Sequence, residues 1–164
     1  MTYLAKTIFR IDDRLIHGQV IEGWVRNLNL TRITIVSDAI KKDENYVKML
    51  EFSVPQEIKV DIFTMKEMAE EAAAGYFNQE DTIVLFESPD DVLGLIDYGC
   101  MIDLVHVGCL HYDGNNYQIR SSVAVCQEDI RIFEDINSMG TIIECQSLPQ
   151  DKACNLMELI GGIE

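Results

Sequence analysis

Residues 10–20 read Arg-Ile-Asp-Asp-Arg-Leu-Ile-His-Gly-Gln-Val. Two guanidiniums (Arg10, Arg14), two carboxylates (Asp12, Asp13) and one imidazole (His17) fall within residues 10–17, the densest polar stretch of the chain. A neutral imidazole offers one nitrogen lone pair as a nucleophile, and phosphorylation there leaves a labile P–N bond. Arginine suits such a site because its planar fork meets phosphate oxygens two at a time. Gly18 allows close backbone approach, and the free N–H groups at the start of a following helix favour an anion. His17 is thus a candidate phosphoryl acceptor beside Arg10 and Arg14, with Asp12 or Asp13 accepting the other ring N–H to fix the tautomer. The same residues admit a plainer arrangement, in which Arg10 and Arg14 only pair with Asp12 and Asp13 while His17 caps a turn.

The surrounding pattern says what must hold these groups. Short β-rich runs alternate with amphipathic stretches. Strands are expected over residues 8–11, 32–37, 59–64, 82–86, 104–107 and 141–145, and helices over 19–27, 43–53, 65–74 and 127–138, with a short one at the end. Ser88 and Pro89 open a further helix, as cap and first-turn residue, and Gly99 ends it. Asp113-Gly114-Asn115-Asn116 is the strongest turn signal and predicts a hairpin-like antiparallel return into residues 117–120. Repeated β-α-β-α means an α/β fold with a mostly parallel central sheet, helices on both faces, doubly wound. Ligands gather at the carboxyl ends of strands in such sheets, and the Arg10–His17 turn follows the first strand there. No repeat or linker divides the chain, so residues 1–164 read as one domain.

Composition narrows the function. The 164 residues carry 13 Lys plus Arg against 28 Asp plus Glu, a formal charge of −15. Such a surface repels nucleic acid and anionic lipid, so an anionic group must be held by a local cationic pocket. Five cysteines form no Cys-x-x-Cys pair and read as apolar filler in a reducing compartment. Residues 1–6 lack the pattern of a secretory leader, and no apolar stretch approaches the ~18 residues of a spanning helix. A cytoplasmic protein is expected.

The first motif, with Trp24 shortly after it, closely resembles the signature of the IIB component of the mannose/fructose/sorbose family of the bacterial phosphotransferase system. The likeness runs through almost the whole chain. Ile35-Val36-Ser37-Asp38 resembles the family's second strand and its polar end, and Phe86-Glu87-Ser88-Pro89-Asp90-Asp91 its Phe-x-x-Pro-x-Asp segment. His106-Val107-Gly108 is similar to its Asn-Val-Gly, and Leu148-Pro149-Gln150-Asp151 to its Val-Pro-x-Asp. Four features depart from the pattern: Cys109 and Leu110 stand where many members have Gly and Met, His106 replaces a frequent Asn, and Ser121 and Ser122 occupy a stretch where a Lys is expected.

The resemblance implies a phosphocarrier. His17 would take a phosphoryl group from a phosphohistidine of a IIA component and pass it to a sugar held by membrane IIC and IID components. Arg10 and Arg14 would neutralise the phosphoryl oxygens, Asp13 would orient the imidazole, and Gln19 would sit at the helix start. Ser37, Asp38 and Ser88 are weaker candidates at the same sheet edge. The family uses no metal or other cofactor. The sugar could be mannose, fructose, sorbose, N-acetylgalactosamine or another amino sugar, and the protein would sit at the inner face of the membrane through IIC and IID.

Two other classes compete. A regulatory module could grip a phosphorylated metabolite through the same Arg-His turn without covalent chemistry. A hydrolase could use His17 as a general base, although no Gly-x-Ser-x-Gly elbow is present. His106, inside a buried strand, reads as a satisfied core histidine, His111 as a solvated loop residue, and Trp24 as packing. The three histidines are too dispersed to suggest a zinc site.

Overall fold

A computed structural model describes residues 3–163; residues 1, 2 and 164, the ends of the expected domain and of the leader reading, lie outside it. Its centre is a seven-stranded sheet in the order β3-β2-β4-β1-β5-β8-β9. The strands are β1 (Thr7–Asp12), β2 (Arg32–Val36), β3 (Lys59–Phe63), β4 (Thr82–Phe86), β5 (Leu104–Cys109), β8 (Ile142–Cys145) and β9 (Cys154–Asn155). All neighbours run parallel except β9, which pairs antiparallel with β8.

Strand alternation sorts the side chains into two cores. One face of β1, β2 and β4 carries Ile33, Ile35, Ile83 and Leu85, packed with Val20, Ile21, Trp24 and Val25 from a π-helix (Gln19–Arg26) and with Ile40 and Leu50 from α1 (Asp38–Lys42) and α2 (Glu44–Phe52). The other face carries Phe9, Ile11, Val84 and Phe86. It is covered by α3 (Met65–Ala73), α4 (Pro89–Asp97), α5 (Gln127–Ser138) and α6 (Leu156–Ile160). Since Phe9 and Ile11 face the second layer, Arg10 and Asp12 must face the first, beneath Trp24. This is the expected doubly wound α/β fold. Among the described residues no helix is long and apolar enough to cross a membrane.

Local chemistry accounts for most boundaries. Ser37, Asp43 and Asn155 cap their helices through side-chain oxygens, and Thr64 with Glu67 forms a capping box at α3. The short α1 was not expected; the Ser37 cap nucleates it directly after β2. The expected helix over 19–27 is wound as a π-helix, and Leu30 N–H closes on the Val25 carbonyl at 2.8 Å. The antiparallel element is displaced from its expected place. β6 (Tyr117–Arg120) pairs with β7 (Val123–Val125), reversing at Ser121 and Ser122. The Asp113–Asn116 segment is a tight loop held by its own Asp113 and Asn116 side chains.

Candidate functional site

β1 is flanked by β4 and β5 at the point where the chain's crossovers diverge, to β2 on one side and β8 on the other. Such a switch point leaves a crevice at the strands' carboxyl ends. Between Ile11 and Asp12 the β1–β5 register slips, so that Asp12 lies opposite Cys109. The bulge turns the end of β1 into the crevice. The loop that follows is held by Leu15, which is buried at 1% exposure and adopts φ 56°. That left-handed backbone is uncommon for a branched side chain and costs on the order of 1–3 kcal/mol, which the burial of Leu15 offsets.

Asp12 is the hub of the site. Arg14 grips it with both prongs, Nε to Oδ1 at 3.0 Å and Nη2 to Oδ2 at 3.0 Å, and the Arg14 N–H adds a bond to Oδ1 at 3.2 Å. Arg10 Nη2 stands 3.6 Å from Oδ2. His17 Nε2 lies 3.1 Å from Oδ2, and His17 Nδ1 accepts the Gln19 N–H at 3.2 Å. A carboxylate only accepts and an amide N–H only donates, so these two bonds fit the neutral ring protonated on Nε2. Burial alone would raise the Asp12 carboxyl, but hydrogen bonds from His17 and Arg14 and the nearby charges outweigh it and hold the group at about 2. The hydrogen bond to Asp12 likewise keeps Arg14 above its usual range.

The two arginines are not equivalent. Arg14 has a side chain one-third exposed and gives Nη2 also to Gln19 Oε1 at 3.0 Å. Arg10 is wholly buried. It donates from Nη1 to the Gln146 carbonyl at 2.7 Å and from Nη2 to the Ser147 carbonyl at 3.1 Å, and its guanidinium lies 4.6 Å from the Trp24 ring centre. Its Nε finds no partner among the described residues, and desolvation lowers its pKa to about 10. Arg10, expected at the phosphoryl oxygens, lies buried beneath Asp12 and donates to carbonyl oxygens. Gly108 leaves room for it, since a Cβ there would meet Arg10 Nη2 at 1.8 Å.

Asp13 is also reassigned. It does not touch His17; its Oδ2 accepts the His111 N–H at 2.7 Å and its Oδ1 lies 2.7 Å from His111 Nδ1. Asp12, the other of the two carboxylates, orients the imidazole. Gly18 has ordinary helical dihedrals, and nothing lies within 4 Å of where a Cβ would sit, so it leaves open space beside His17 rather than meeting a backbone need. The weaker candidates stay apart from the cluster. Ser37 Oγ caps α1, Asp38 Oδ1 accepts the Met65 N–H, and Ser88 Oγ donates to Asp91.

Sequence reasoning missed Gln146 and Ser147, because they act through backbone carbonyls that carry no side-chain signature. Trp24 packs as expected, 2% exposed, its Nε1 donating to the Ser147 carbonyl at 2.9 Å. His106 is not the satisfied core histidine expected: its Nδ1 has no partner among the described residues, and burial with the Arg10 charge lowers its pKa to about 4. His111 is exposed as expected, yet it joins Asp13 and Cys109 in one group, so the histidines are less isolated than their spacing implied.

A doubly wound α/β domain with a neutral imidazole, a buried carboxylate and an arginine fork at its switch point belongs to a recognisable class. The family model for the sorbose-subfamily IIB component of the phosphotransferase system matches residues 6–163, and the chain belongs to that family. It is 31% identical to the fructose-specific EIIB component of Bacillus subtilis, over 94% of each chain. It is 30% identical to the mannose-specific EIIAB component of Escherichia coli, over 99% of this chain and 50% of that protein. The crystal structure of the IIBSor domain of the sorbose permease from Klebsiella pneumoniae superposes with a TM-score of 0.87 at 27% identity, covering 98% of this chain and 99% of that one. The protein is thus a phosphotransferase-system component related to sugar-specific IIB proteins.

Proposed function

We propose that the whole chain, residues 1–164, is one IIB domain that accepts a phosphoryl group on His17 from the phosphohistidine of a IIA component. It then yields that group to a sugar held by membrane IIC and IID components, working from the cytoplasmic side. The observation that carries this reading is the split between the two nitrogens of His17. With Nε2–H committed to Asp12, Nδ1 holds the lone pair and is the atom that attacks phosphorus. The Nδ1–P bond forms as the bond from phosphorus to the donor imidazole breaks, and the donor ring keeps that electron pair. Asp12 stabilises the positive charge that the His17 ring acquires. The Gln19 N–H, released from Nδ1, is placed to donate to a phosphoryl oxygen at the start of the helix. Arg14 supplies the exposed positive charge, with Gln19 Oε1 fixing its fork. The relatives are named for fructose, mannose, sorbose and N-acetylgalactosamine, which supports a sugar of that set, and the EIIAB relative supports a IIA partner.

Phosphoenolpyruvate, the general phosphotransferase proteins and a IIA component, incubated with this chain, should give one acid-labile phosphoryl group per molecule. Phosphorus NMR should place it on Nδ1. His17→Gln should abolish the adduct with thermal stability close to wild type. A module that only binds a phosphorylated metabolite would give reversible affinity and no adduct. Label on another residue, or an unfolded H17Q, would remove His17 from this role.

A further inference from the structure

The ends of β1 and β5 gather a second set of donors that phosphoryl transfer does not use. Asp13, Cys109 and His111 each offer one ligand atom, and these three atoms lie within 4.8 Å of one another. We propose that they form a binding site for a borderline-soft divalent cation of the zinc type.

The donor set is the first argument: carboxylate, thiolate and imidazole together select zinc and its neighbours over magnesium or calcium, which take oxygen. Spacing is the second. Ligands ~2.3 Å (sulfur) and ~2.1 Å (nitrogen) from a tetrahedral ion stand about 3.6 Å apart, and two at ~2.1 Å stand about 3.4 Å apart. Cys109 Sγ and His111 Nδ1 are separated by 3.9 Å. Asp13 Oδ1 and His111 Nδ1, at 2.7 Å, must open by roughly 0.7 Å to reach that tetrahedral edge. The His111 side chain, 68% exposed, can turn to provide this.

Pre-organisation is the third argument. Asp13 N–H donates to the Cys109 carbonyl at 3.1 Å, Asp13 Oδ2 accepts the His111 N–H at 2.7 Å, and Asn116 Nδ2 holds the His111 carbonyl at 3.1 Å. The backbones of all three ligands are tied together, so only side chains need adjust. Binding forms three dative bonds. The Cys109 thiol proton goes to solvent, the His111 proton moves from Nδ1 to the outer Nε2, and a water keeps the exposed fourth position. The net charge of −15 draws cations in, while Arg14, on the same cleft, opposes them. The site therefore calls for an ion that gains from thiolate bonding, beyond charge alone.

Calorimetric titration of the reduced full chain with Zn²⁺ should show one saturable equivalent. Cys109→Ser and His111→Ala should each weaken it at least tenfold, and Cys126→Ser should leave it unchanged. Co²⁺ should give a near-ultraviolet thiolate charge-transfer band that C109S abolishes. Absence of a saturable equivalent, or wild-type binding in H111A, would overturn the proposal; H111A alters an exposed side chain and so tests it even if C109S folds poorly. Phosphoryl transfer plays no part in these measurements, so their failure leaves that reading standing.

Discussion

Each nitrogen of His17 has one neighbour, and the two neighbours demand opposite things. Asp12 requires a proton on Nε2, and the Gln19 amide requires a lone pair on Nδ1. Asp12 can make that demand because hydrogen bonds from His17 and Arg14, with the Arg10 charge nearby, keep it ionised in a buried place. Arg14 acts through geometry as much as charge: its fork fits the carboxylate with two parallel bonds and still reaches Gln19. Arg14→Lys keeps the charge and loses the fork. A lost charge-assisted hydrogen bond is worth ~1.5–3 kcal/mol, so the phosphoryl-transfer rate should drop on the order of tenfold to a hundredfold. Stopped transfer assays with radiolabelled donor measure it, and circular dichroism should show a folded protein.

The elements around the site are fitted to a buried cation. β1 sends Arg10 under the π-helix, β5 leaves out a side chain at Gly108, and the segment after β8 presents two carbonyls. Gly108→Ala would put a methyl group where the guanidinium lies. The chain must shift or Arg10 must leave Asp12, so we expect a loss of about 1–3 kcal/mol in chemical denaturation. Transfer should slow as well, because Asp12 would lose part of its support. An unchanged midpoint would mean that β5 yields easily at this place.

For the molecule as a whole, the buried ionisable groups set its behaviour in acid. His106 is held neutral, with a folded pKa of about 4 against 6.5 unfolded, and Asp12 is held ionised, at about 2 against 3.8. In both cases the unfolded chain binds protons more readily over the interval between the two values. These two groups therefore lose stability as the solution is acidified below pH 6.5. Asp91, whose carboxyl burial pushes up to about 6 against 3.8 unfolded, gains about 3 kcal/mol between pH 6 and 4 and opposes the His106 step. His106 accounts for a loss of about 3 kcal/mol between pH 6.5 and 4, and Asp12 for about 2 kcal/mol more between pH 4 and 2. Urea denaturation should show a nearly level profile from pH 7 to 4 and a loss between pH 4 and 2. His106→Phe should make the chain about 3 kcal/mol more stable at pH 4 relative to pH 7 than the unmutated chain, while leaving the lower step. A profile unchanged in H106F would mean that His106 is hydrated in solution.

The sequence by itself determined the alternation of strands and helices, the doubly wound class, the family and the short segment around His17. These rest on local periodicity, turn chemistry and a contiguous motif, all readable along one dimension. The tertiary structure alone decided which aspartate touches the imidazole, that Arg10 lies buried, and that Asp13 faces Cys109 and His111. It also fixed the placement of β6 against β7 beyond the Asp113–Asn116 turn. The physical reason is common to them. Asp12 is the last residue of β1 and Asp13 the first of the turn beyond it. Where each points follows from the register slip between Ile11 and Asp12 and from the bond of the Asp13 N–H to the Cys109 carbonyl. Arg10 meets carbonyls 136 and 137 residues away, and a carbonyl is the same group at every position of every chain. Only the order in which the strands lie side by side tells which of them it will be.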